Sequence, residues 1–425
     1  MFSIFSMNSF DILIWSLTAY VLVRMLRSPF DSPDPVGVAQ GDTTTSHLER
    51  PTPEHFPRGG SRKMSQATLW LLLGLLLGIG LLNKISMLWL GFGIAAGIAL
   101  TPYRFWLRTR WPWIAGSVAA LIFLPYIIWN ITHDFAHLEF IRNATGEKYS
   151  SQTALTFIVG QILLQNPITL PLWLAGLYFY FSKSGRQFRP LGIIYVAAFT
   201  ILIVNGHSKA EYLSPAYGVL MAAGAVMFER WFAGSSWRWM KPAYFGLLII
   251  SGCFLAPLAR PLLPVETYVR YQDALGMAPH TAEAKQLEKL PQFYADRFGW
   301  EEKAAAVARV FNALTVEEKA TCAIFADNYG RCGAIDFFGA KYGLPKSIGL
   351  HNNYWIWGPR QYTGEIVIIL GGSPEDHRQS FAEVVVADTV SSAYCMPYEN
   401  HLTISVCRKL MVPVDEVWAQ HKHYE

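Results

Sequence analysis

Charged residues are scarce in this chain of 425 residues: Asp, Glu, Lys and Arg make up 16% of it, against roughly 25% in soluble domains. Hydrophobic residues reach 52% and the mean hydropathy is +0.23, which excludes an ordinary water-soluble protein for most of the chain. The formal net charge of +4 is small, and the basic residues form short clusters. A nucleic-acid partner is therefore not expected.

Cysteine is scarce as well. The five cysteines form no CxxC pair and no Cys/His set of the kind that binds zinc, so no metal site is predicted from them. Buried reduced thiols are one interpretation. If the C-terminal region is extracytoplasmic, a disulfide between Cys395 and Cys407 is the other. The start, MFSIFSMNSFD, also lacks the basic n-region and cleavage site of a secretory signal peptide.

Long apolar runs crowd residues 9–264, whereas 265–425 has the composition of a soluble sequence. We therefore predict a polytopic α-helical membrane domain over 1–264 and a soluble domain over 265–425. A spanning helix needs about 20 mostly apolar residues. About eight segments are candidates: 9–26, 67–83, 85–100, 111–132, 154–182, 191–205, 213–230 and 242–263. LLNKISM predicts a tight or partly re-entrant hairpin, and Pro167 and Pro171 predict a break in the fifth segment.

Lys and Arg concentrate in alternate connections, with thirteen on one side and four on the other. Basic residues are retained on the cytoplasmic side, so the poorer side is predicted to face outward. Its four members are Lys84, Arg142, Lys148 and Lys209. The chain start and everything after residue 264 then face outward too. The connection 28–66 is rich in Pro, Gly, Ser and Thr and is predicted to be a flexible cytoplasmic linker.

Polar and ionisable groups collect at the predicted outer ends of the spans. They include Asn8, Asp11, Lys84, His133, Asp134, Glu139, Arg142, His207, Lys209 and Glu211. Such groups either snorkel to water or serve a site. Their convergence at one level favours a site, because lysine ammonium and tyrosine hydroxyl groups suit an anionic phosphate at the level of the lipid headgroups.

Several stretches occur in an informative order between the spans. They are the run from GLLNKISMLWLGFG to LPYIIWN, then FIRNATGEK, LLQNPITLPLWLAGL and KAEYLSPAYGVLMAAGA, and in the tail FGWEE, GAIDFFGAKYGLP, HNNYWIWGP and YCMPYENHL. Together they resemble the bacterial proteins of glycosyltransferase family 39, the group of protein O-mannosyltransferases and the aminoarabinose transferase. The resemblance covers nearly the whole chain from about residue 6 onward.

The resemblance implies a GT-C fold with its active site at the extracytoplasmic surface of the bacterial inner membrane. There a sugar passes from a polyprenyl-phosphate carrier to a glycan, lipid or protein acceptor. Lys84, Lys209 and Tyr212 are expected to hold the carrier phosphate, with Arg142, His207 and Tyr217 as further candidates. His207 and Glu211 have the alternative of being solvated loop residues. No cofactor is expected with certainty, and a divalent metal is left open.

Attack by an acceptor calls for a carboxylate as general base, and the family carries an acidic pair in an outward loop that this chain lacks. Asp11, in SMNSFD, resembles a second acidic position of the family and is the catalytic candidate. Its alternative role is that of a residue in the first turn of a helix. We expect the chain to be N-terminally truncated, with transfer activity belonging to a longer parent.

The C-terminal region predicts a small extracytoplasmic α/β domain. TAEAKQLEKLPQFYADRF and WEEKAAAVARVFNAL have helical spacing, GAIDFFGAKYG is a third helix, and 322–326, 365–370 and 383–387 are predicted strands. NYGRCGAID is not a nucleotide-binding motif. The aromatic residues of HNNYWIWGPRQY either stack on a sugar or serve packing.

Two other functions remain open at this point. Outward charges and broken helices also occur in transporters, but transporters place polar groups at mid-membrane and often contain internal repeats, which are not seen here. A non-catalytic protein that binds a lipid carrier or scaffolds an envelope assembly is the second alternative.

Overall fold

The computed structural model describes residues 7–27, 64–233, 236–279, 281, 283 and 285–424. Contacts along the chain divide it into two units, Met1–Trp129 with Gln152–Gly252, and Asn130–Ser151 with Cys253–Glu425. We call them the helical unit and the sheet unit. The sequence placed a domain boundary at 264, whereas the contacts assign 253–264 and the distant 130–151 to the sheet unit. Of the predicted linker, 28–63 lies outside the described residues.

The first part of the chain is helical. Its helices are α1 (Met7–Arg27), α2 (Gln66–Asn83), α3 (Met87–Ala99), α4 (Trp111–Thr132), α5 (Ala136–Asn143), α6 (Ala154–Leu164), α7 (Leu170–Phe181), α8 (Arg189–Asn205), α9 (Tyr217–Phe232) and α10 (Met240–Ala259). Short 3₁₀ helices join several of them, among them Pro167–Thr169, Arg186–Phe188 and Ala210–Ala216.

Within the described residues, five helical stretches are long and apolar enough to cross a membrane: α1, α2, α4, α10 and Arg186–Asn205. A sixth is added if the bent pair Ala154–Leu164 and Pro167–Phe181 is one span. The eight predicted segments each contain a helix, but the count of eight is not confirmed, because α3 and α9 have only 13 and 16 residues. The pair is bent by 95°, which confirms the predicted break.

Helices α7 and α9 approach each other through two glycines. A Cβ atom on Gly176 would lie 1.8 Å from the carbonyl oxygen of Leu220, and one on Gly224 would lie 1.9 Å from that of Leu172. Any side chain at either position would push the two backbones apart. This is the small-residue contact that lets helices pack in an apolar solvent, where no hydrophobic effect drives them together.

The sheet unit continues with α11 (Val265–Ala274), α12 (Gln292–Ala295), α13 (Trp300–Ala313), α14 (Val316–Thr321), β1 (Cys322–Ala326), α15 (Tyr329–Phe338), α16 (Asn353–Trp357), β2 (Ile366–Leu370), α17 (Pro374–Ser380), β3 (Phe381–Val390), β4 (Leu402–Leu410) and α18 (Val414–Gln420). The strand order is β1-β2-β4-β3. Strand β1 runs parallel to β2, and β4 is antiparallel to both β2 and β3. Helix α13 covers one face, where Val307 packs with Ile324, Ile368 and Ile404.

The three predicted strands correspond to β1, β2 and β3, whereas β4 was not predicted. The helix expected over TAEAKQLEKLPQFYADRF is wrong, because residues 285–290 are not helical and only α12 forms after Pro291. Proline lacks the N–H that a continuing helix needs and restricts the residue before it.

Candidate functional site

Lys84 lies at the turn between α2 and α3, where its backbone N–H caps α2 by donating to Gly80 O at 2.8 Å. The side chain turns toward α1. Its Nζ atom donates to Asn8 Oδ1 at 2.7 Å and lies 3.8 Å from Asp11 Oδ2. The ammonium group also lies 4.8 Å from the centre of the Tyr212 ring. The turn thus joins α1 to the 3₁₀ helix Ala210–Ala216 around one cation.

Asp11 is almost completely buried, at 2% exposure, and its charge is poorly compensated. Its Oδ1 atom has no hydrogen-bond partner among the described residues. The indole of Trp15, one turn later on α1, interacts with the carboxylate without forming a hydrogen bond of normal geometry. A buried charge held by one ion pair of 3.8 Å does not recover its desolvation cost, which makes Asp11 a candidate for a functional role.

The cation has access to the surface. The Lys84 side chain is 15% exposed, and the exposed carboxylate of Glu211 is near enough to attract it. The Tyr212 ring in turn lies against Trp89, with 6.1 Å between ring centres. Lys84 is therefore oriented by Asn8 and Asp11, and part of its side chain remains exposed.

An apolar groove begins one helical turn from Asp11. It has a volume of about 290 Å³ and lies between α1, α3, α8 and α9. On α1 its lining runs from Trp15 to Val23, which spans about 12 Å at the rise of an α-helix. Leu90 and Ile194 form part of its other sides. The groove can accommodate an extended apolar chain whose polar end lies toward Lys84.

Tyr217 does not join this cluster. It is 1% exposed, its hydroxyl lies 3.1 Å from that of Tyr195, and it donates to Gln161 Oε1 at 3.2 Å. Gln161 in turn donates to Ala210 O at 2.9 Å. This buried chain of hydrogen bonds ties α6, α8 and α9 together. The arrangement gives Tyr217 a structural role and does not support its predicted contact with phosphate.

The remaining predicted phosphate ligands have other surroundings. The backbone N–H of His207 donates to Asn205 Oδ1 at 3.3 Å, at the end of α8. Lys209 is the residue before the 3₁₀ helix that carries Tyr212. Arg142 is exposed on α5 and belongs to the sheet unit. The structure therefore brings together Asp11, Lys84 and Tyr212 from the predicted set, and adds Asn8 as a direct partner of the lysine.

The predicted disulfide between Cys395 and Cys407 is absent, and both thiols are buried and unpaired. Cys407 is held in β4 between its register partners Val367 and Val384. Cys395 lies in the connection after β3 and donates to Ser392 O at 3.1 Å. Burial raises the pKa of Cys407 to about 12, so it remains a thiol at neutral pH.

Trp355 and Tyr354 of the aromatic segment 351–362 serve packing. The indole N–H of Trp355 donates to Trp418 O at 2.6 Å, and that of Trp418 donates to Trp355 O at 2.9 Å. The hydroxyl of buried Tyr354 donates to Asp336 Oδ2 at 3.2 Å. Of the two interpretations, sugar stacking and packing, the structure favours packing for these residues.

A metal site was left open by the sequence. Within the part of the chain that the structure describes, no three His, Cys, Asp or Glu side chains lie close enough to hold an ion. Around Lys84 the carboxylates are Asp11 and Glu211, and the first of these is engaged with the lysine.

The apolar helices define a multi-pass membrane protein, and the small C-terminal sheet is consistent with a GT-C-like member of that class. The model of the family described as dolichyl-phosphate-mannose-protein mannosyltransferase matches residues 62–129. This stretch contains α2, α3 and Lys84, and the similarity indicates a membrane glycosyltransferase of the mannosyltransferase kind. No curated protein and no solved structure matches the chain.

Proposed function

We propose that the protein is a membrane glycosyltransferase that moves a sugar of the mannose kind from a polyprenyl-phosphate carrier to an acceptor. The reaction takes place at the extracytoplasmic face of a bacterial inner membrane. The observation that carries the proposal is the position of Lys84. Its ammonium group lies where α2 ends, is oriented by Asn8 and Asp11, and lies beside the Tyr212 ring.

The chemistry of transfer explains why a fixed cation is needed. An acceptor oxygen attacks C1 of the sugar, the bond from C1 to the phosphate oxygen breaks, and the electron pair leaves with the lipid phosphate. Negative charge therefore grows on that phosphate in the transition state. An oriented ammonium group at the edge of an apolar medium stabilises it more than water would, because the donor is already in place when charge develops.

The acceptor must lose a proton as it attacks, and Asp11 is the carboxylate that the sequence offers for this step. Its burial and its contact with Lys84 favour a different role within the same site. We assign it as a positioning residue, which directs the ammonium group and acts on the phosphate through it. The proton would then pass to a group outside the Lys84 cluster.

The groove beside α1 gives the carrier a place for its first isoprene units. Its lining is mostly apolar, and it starts one turn from the carboxylate that holds Lys84. A lipid phosphate with its tail in this groove would have its head beside the ammonium group. Apolar contact then supplies affinity for any polyprenyl carrier, and the cation supplies selectivity for the phosphate.

The test uses the full chain in proteoliposomes with a polyprenyl-phosphate-mannose donor. Lys84→Ala removes a charge-assisted contact of about 1.5–3 kcal/mol, so binding of the polyprenyl phosphate is expected to weaken roughly 10- to 150-fold. Lys183→Ala is the matched control, since Lys183 is an exposed lysine of the same unit. Equal carrier affinity of the Lys84→Ala and Lys183→Ala variants would refute the assignment of the phosphate site.

Sugar transfer is measured in the same vesicles, with a peptide or glycan acceptor and radiolabelled donor. Carrier binding that depends on Lys84 together with transfer supports the glycosyltransferase. Carrier binding that depends on Lys84 without transfer by this chain supports the alternative, a protein that binds lipid carriers as part of an envelope assembly.

A further inference from the structure

The sheet unit has a cavity of its own, which the proposed glycosyltransferase site does not use. It has a volume of about 560 Å³, within the roughly 300–1,000 Å³ typical of ligand pockets. It lies where β1 ends at Ala326 and α15 begins at Tyr329. The carboxyl ends of parallel strands are where α/β sheets usually bind ligands, because the chain there turns into a helix N-terminus.

The floor of the cavity is a network of paired charges, of which Arg331, Glu399 and Lys303 are buried. Arg331 is 4% exposed and donates to Glu399 Oε2 at 3.0 Å, and it also bonds Asp327. Glu399 accepts a second hydrogen bond from Asn328 at 2.9 Å and lies 3.2 Å from Lys303 Nζ. Each charge has an opposite partner, which is the condition for burying charges without a large loss of stability. The floor is consequently rigid.

Three aromatic residues line the walls. Trp300 lies so close to the start of α15 that a Cβ on Gly330 would be 3.0 Å from its ring. Tyr329 and Tyr398 are 47% and 42% exposed, so their rings have faces that a ligand can cover. An aromatic ring with one polar handle suits ligands that have both an apolar face and hydroxyl groups.

Carboxylates and ammonium groups are mixed in the lining. The carboxylates are Glu283, Asp296, Asp327 and Glu399, and the two lysines are Lys148 and Lys285. Each lysine lies over a tyrosine ring, Lys148 at 5.6 Å from Tyr329 and Lys285 at 5.3 Å from Tyr398. The carboxylates outnumber the lysines, and Arg331 is already paired with Glu399 and Asp327, so the lining offers little net attraction to a phosphate or a nucleotide. A neutral ligand with many hydroxyl groups would find acceptors, donors and ring faces together.

We propose that this cavity binds a saccharide, with a sugar ring stacked on Tyr329 or Tyr398 and its hydroxyl groups bonded to the carboxylates and lysines of the wall. The site does not rest on the proposed transfer activity, because no residue of the Lys84 cluster contributes to it. A sugar bound here would be recognised and not transformed.

The experiment uses the full chain in detergent on an array of immobilised neutral oligosaccharides of mannose, glucose, galactose and N-acetylglucosamine. Binding to at least one class is expected. Tyr329→Ala and Tyr398→Ala should each weaken it by about tenfold, the equivalent of 1.4 kcal/mol. Phe337→Ala is the matched control, since Phe337 is an exposed aromatic residue of α15 that does not line the cavity.

Further variants distinguish saccharide binding in this cavity from binding at the Lys84 cluster of the helical unit. Lys84→Ala should leave saccharide binding unchanged, and loss of binding in that variant would place the sugar in the glycosyltransferase site instead. The proposal is overturned if no saccharide binds, if the Tyr329→Ala/Tyr398→Ala double variant binds as the wild type does, or if inorganic phosphate displaces the sugar. Thermal unfolding of each variant shows that the lost binding is not lost folding.

Discussion

Asp11 in the helical unit and Glu399 in the sheet unit are both buried carboxylates, at 2% and 4% exposure, but their surroundings differ. Glu399 is surrounded by Arg331, Lys303 and Asn328, with contacts of 2.9–3.2 Å. Asp11 has one ion pair of 3.8 Å, and one of its oxygens has no hydrogen bond within the described chain. The charge of Glu399 is thus compensated by close partners, whereas the charge of Asp11 is compensated only in part.

The difference separates a structural charge from a functional one. A saturated buried ion network fixes the geometry around it, and removing any member leaves the others uncompensated. A carboxylate that is only partly compensated contributes little to stability, but it keeps a neighbouring lysine directed and available. The sheet unit is accordingly expected to depend on its ion pairs. The helical unit should depend on close helix contacts and tolerate changes at Asp11.

The largest effect is expected from Arg331→Ala. It leaves Glu399 buried beside a single remaining cation, Lys303, and should cost about 3–5 kcal/mol. For a unit of this size that corresponds to a fall in Tm of roughly 10 °C, measured by circular dichroism of the full chain in detergent. Arg378→Ala is the control, because the pair of Arg378 with Glu375 is exposed, and it should leave Tm unchanged. Equal Tm values for both variants would show that the buried ion network contributes no more to stability than an exposed ion pair.

Gly224→Ala tests the helical unit in the same way. The new Cβ would meet the carbonyl of Leu172 at 1.9 Å, and overpacking of this kind costs about 1–3 kcal/mol. Gly218→Ala, on the same helix, meets nothing within 4 Å and is the matched control. Thermal unfolding in detergent should separate the two variants. If it does not, α7 and α9 are not held by close contact.

Asp11→Asn should lower carrier affinity without lowering Tm. The substitution removes a poorly compensated charge, so stability is expected to stay constant or rise. Lys84 loses its orienting carboxylate, and polyprenyl phosphate should bind about tenfold more weakly, which corresponds to 1.4 kcal/mol. A fall in Tm as large as that of Arg331→Ala would show that the two carboxylates are alike after all.

The smallest effect concerns the surface. The backbone N–H of Thr315, followed by Arg408, lowers the pKa of Glu318 below its ordinary value of 4.5. This contribution is present above pH 4.5 and is lost as the pH falls below that value. Glu318→Gln should therefore show a slightly smaller loss of Tm than the wild type when the buffer is taken below pH 4.5. Glu317→Gln, the neighbouring carboxylate, should follow the wild type.

Lys84 and Asp11 could be singled out because a charge at the end of an apolar run is costly unless it serves a purpose, and Tyr212 because the stretch KAEYLSPAY resembles a motif of the family. Tyr217 could not be told from Tyr212 in this way. The two tyrosines lie in one short motif, but a 3₁₀ turn directs one toward the lysine and the other into the helix contacts. Orientation of this kind depends on packing that the motif does not contain.

The number of spans and the sheet cavity could not be predicted either, because both depend on contacts that the local sequence does not contain. Hydropathy predicted where the apolar segments lie but not where the helices end, and α3 and α9 are shorter than the predicted segments. Strand β4 carries Arg408 and Lys409 near its end, and its pairing with β2 and β3 joins distant parts of the chain. Lys303, Arg331 and Glu399 are likewise far apart in sequence. No local pattern could have predicted that they meet.

The position of β4 affects how the sheet unit is made. Because β4 lies between β2 and β3, those two strands cannot pair with their final neighbour until residues 402–410 have been synthesised. Until then β2 has β1 on one edge and an unsatisfied edge on the other, which is prone to association. The edge of β2 therefore stays exposed until the C-terminal part of the chain is available, and chaperone protection should be most needed before residues 402–410 pair.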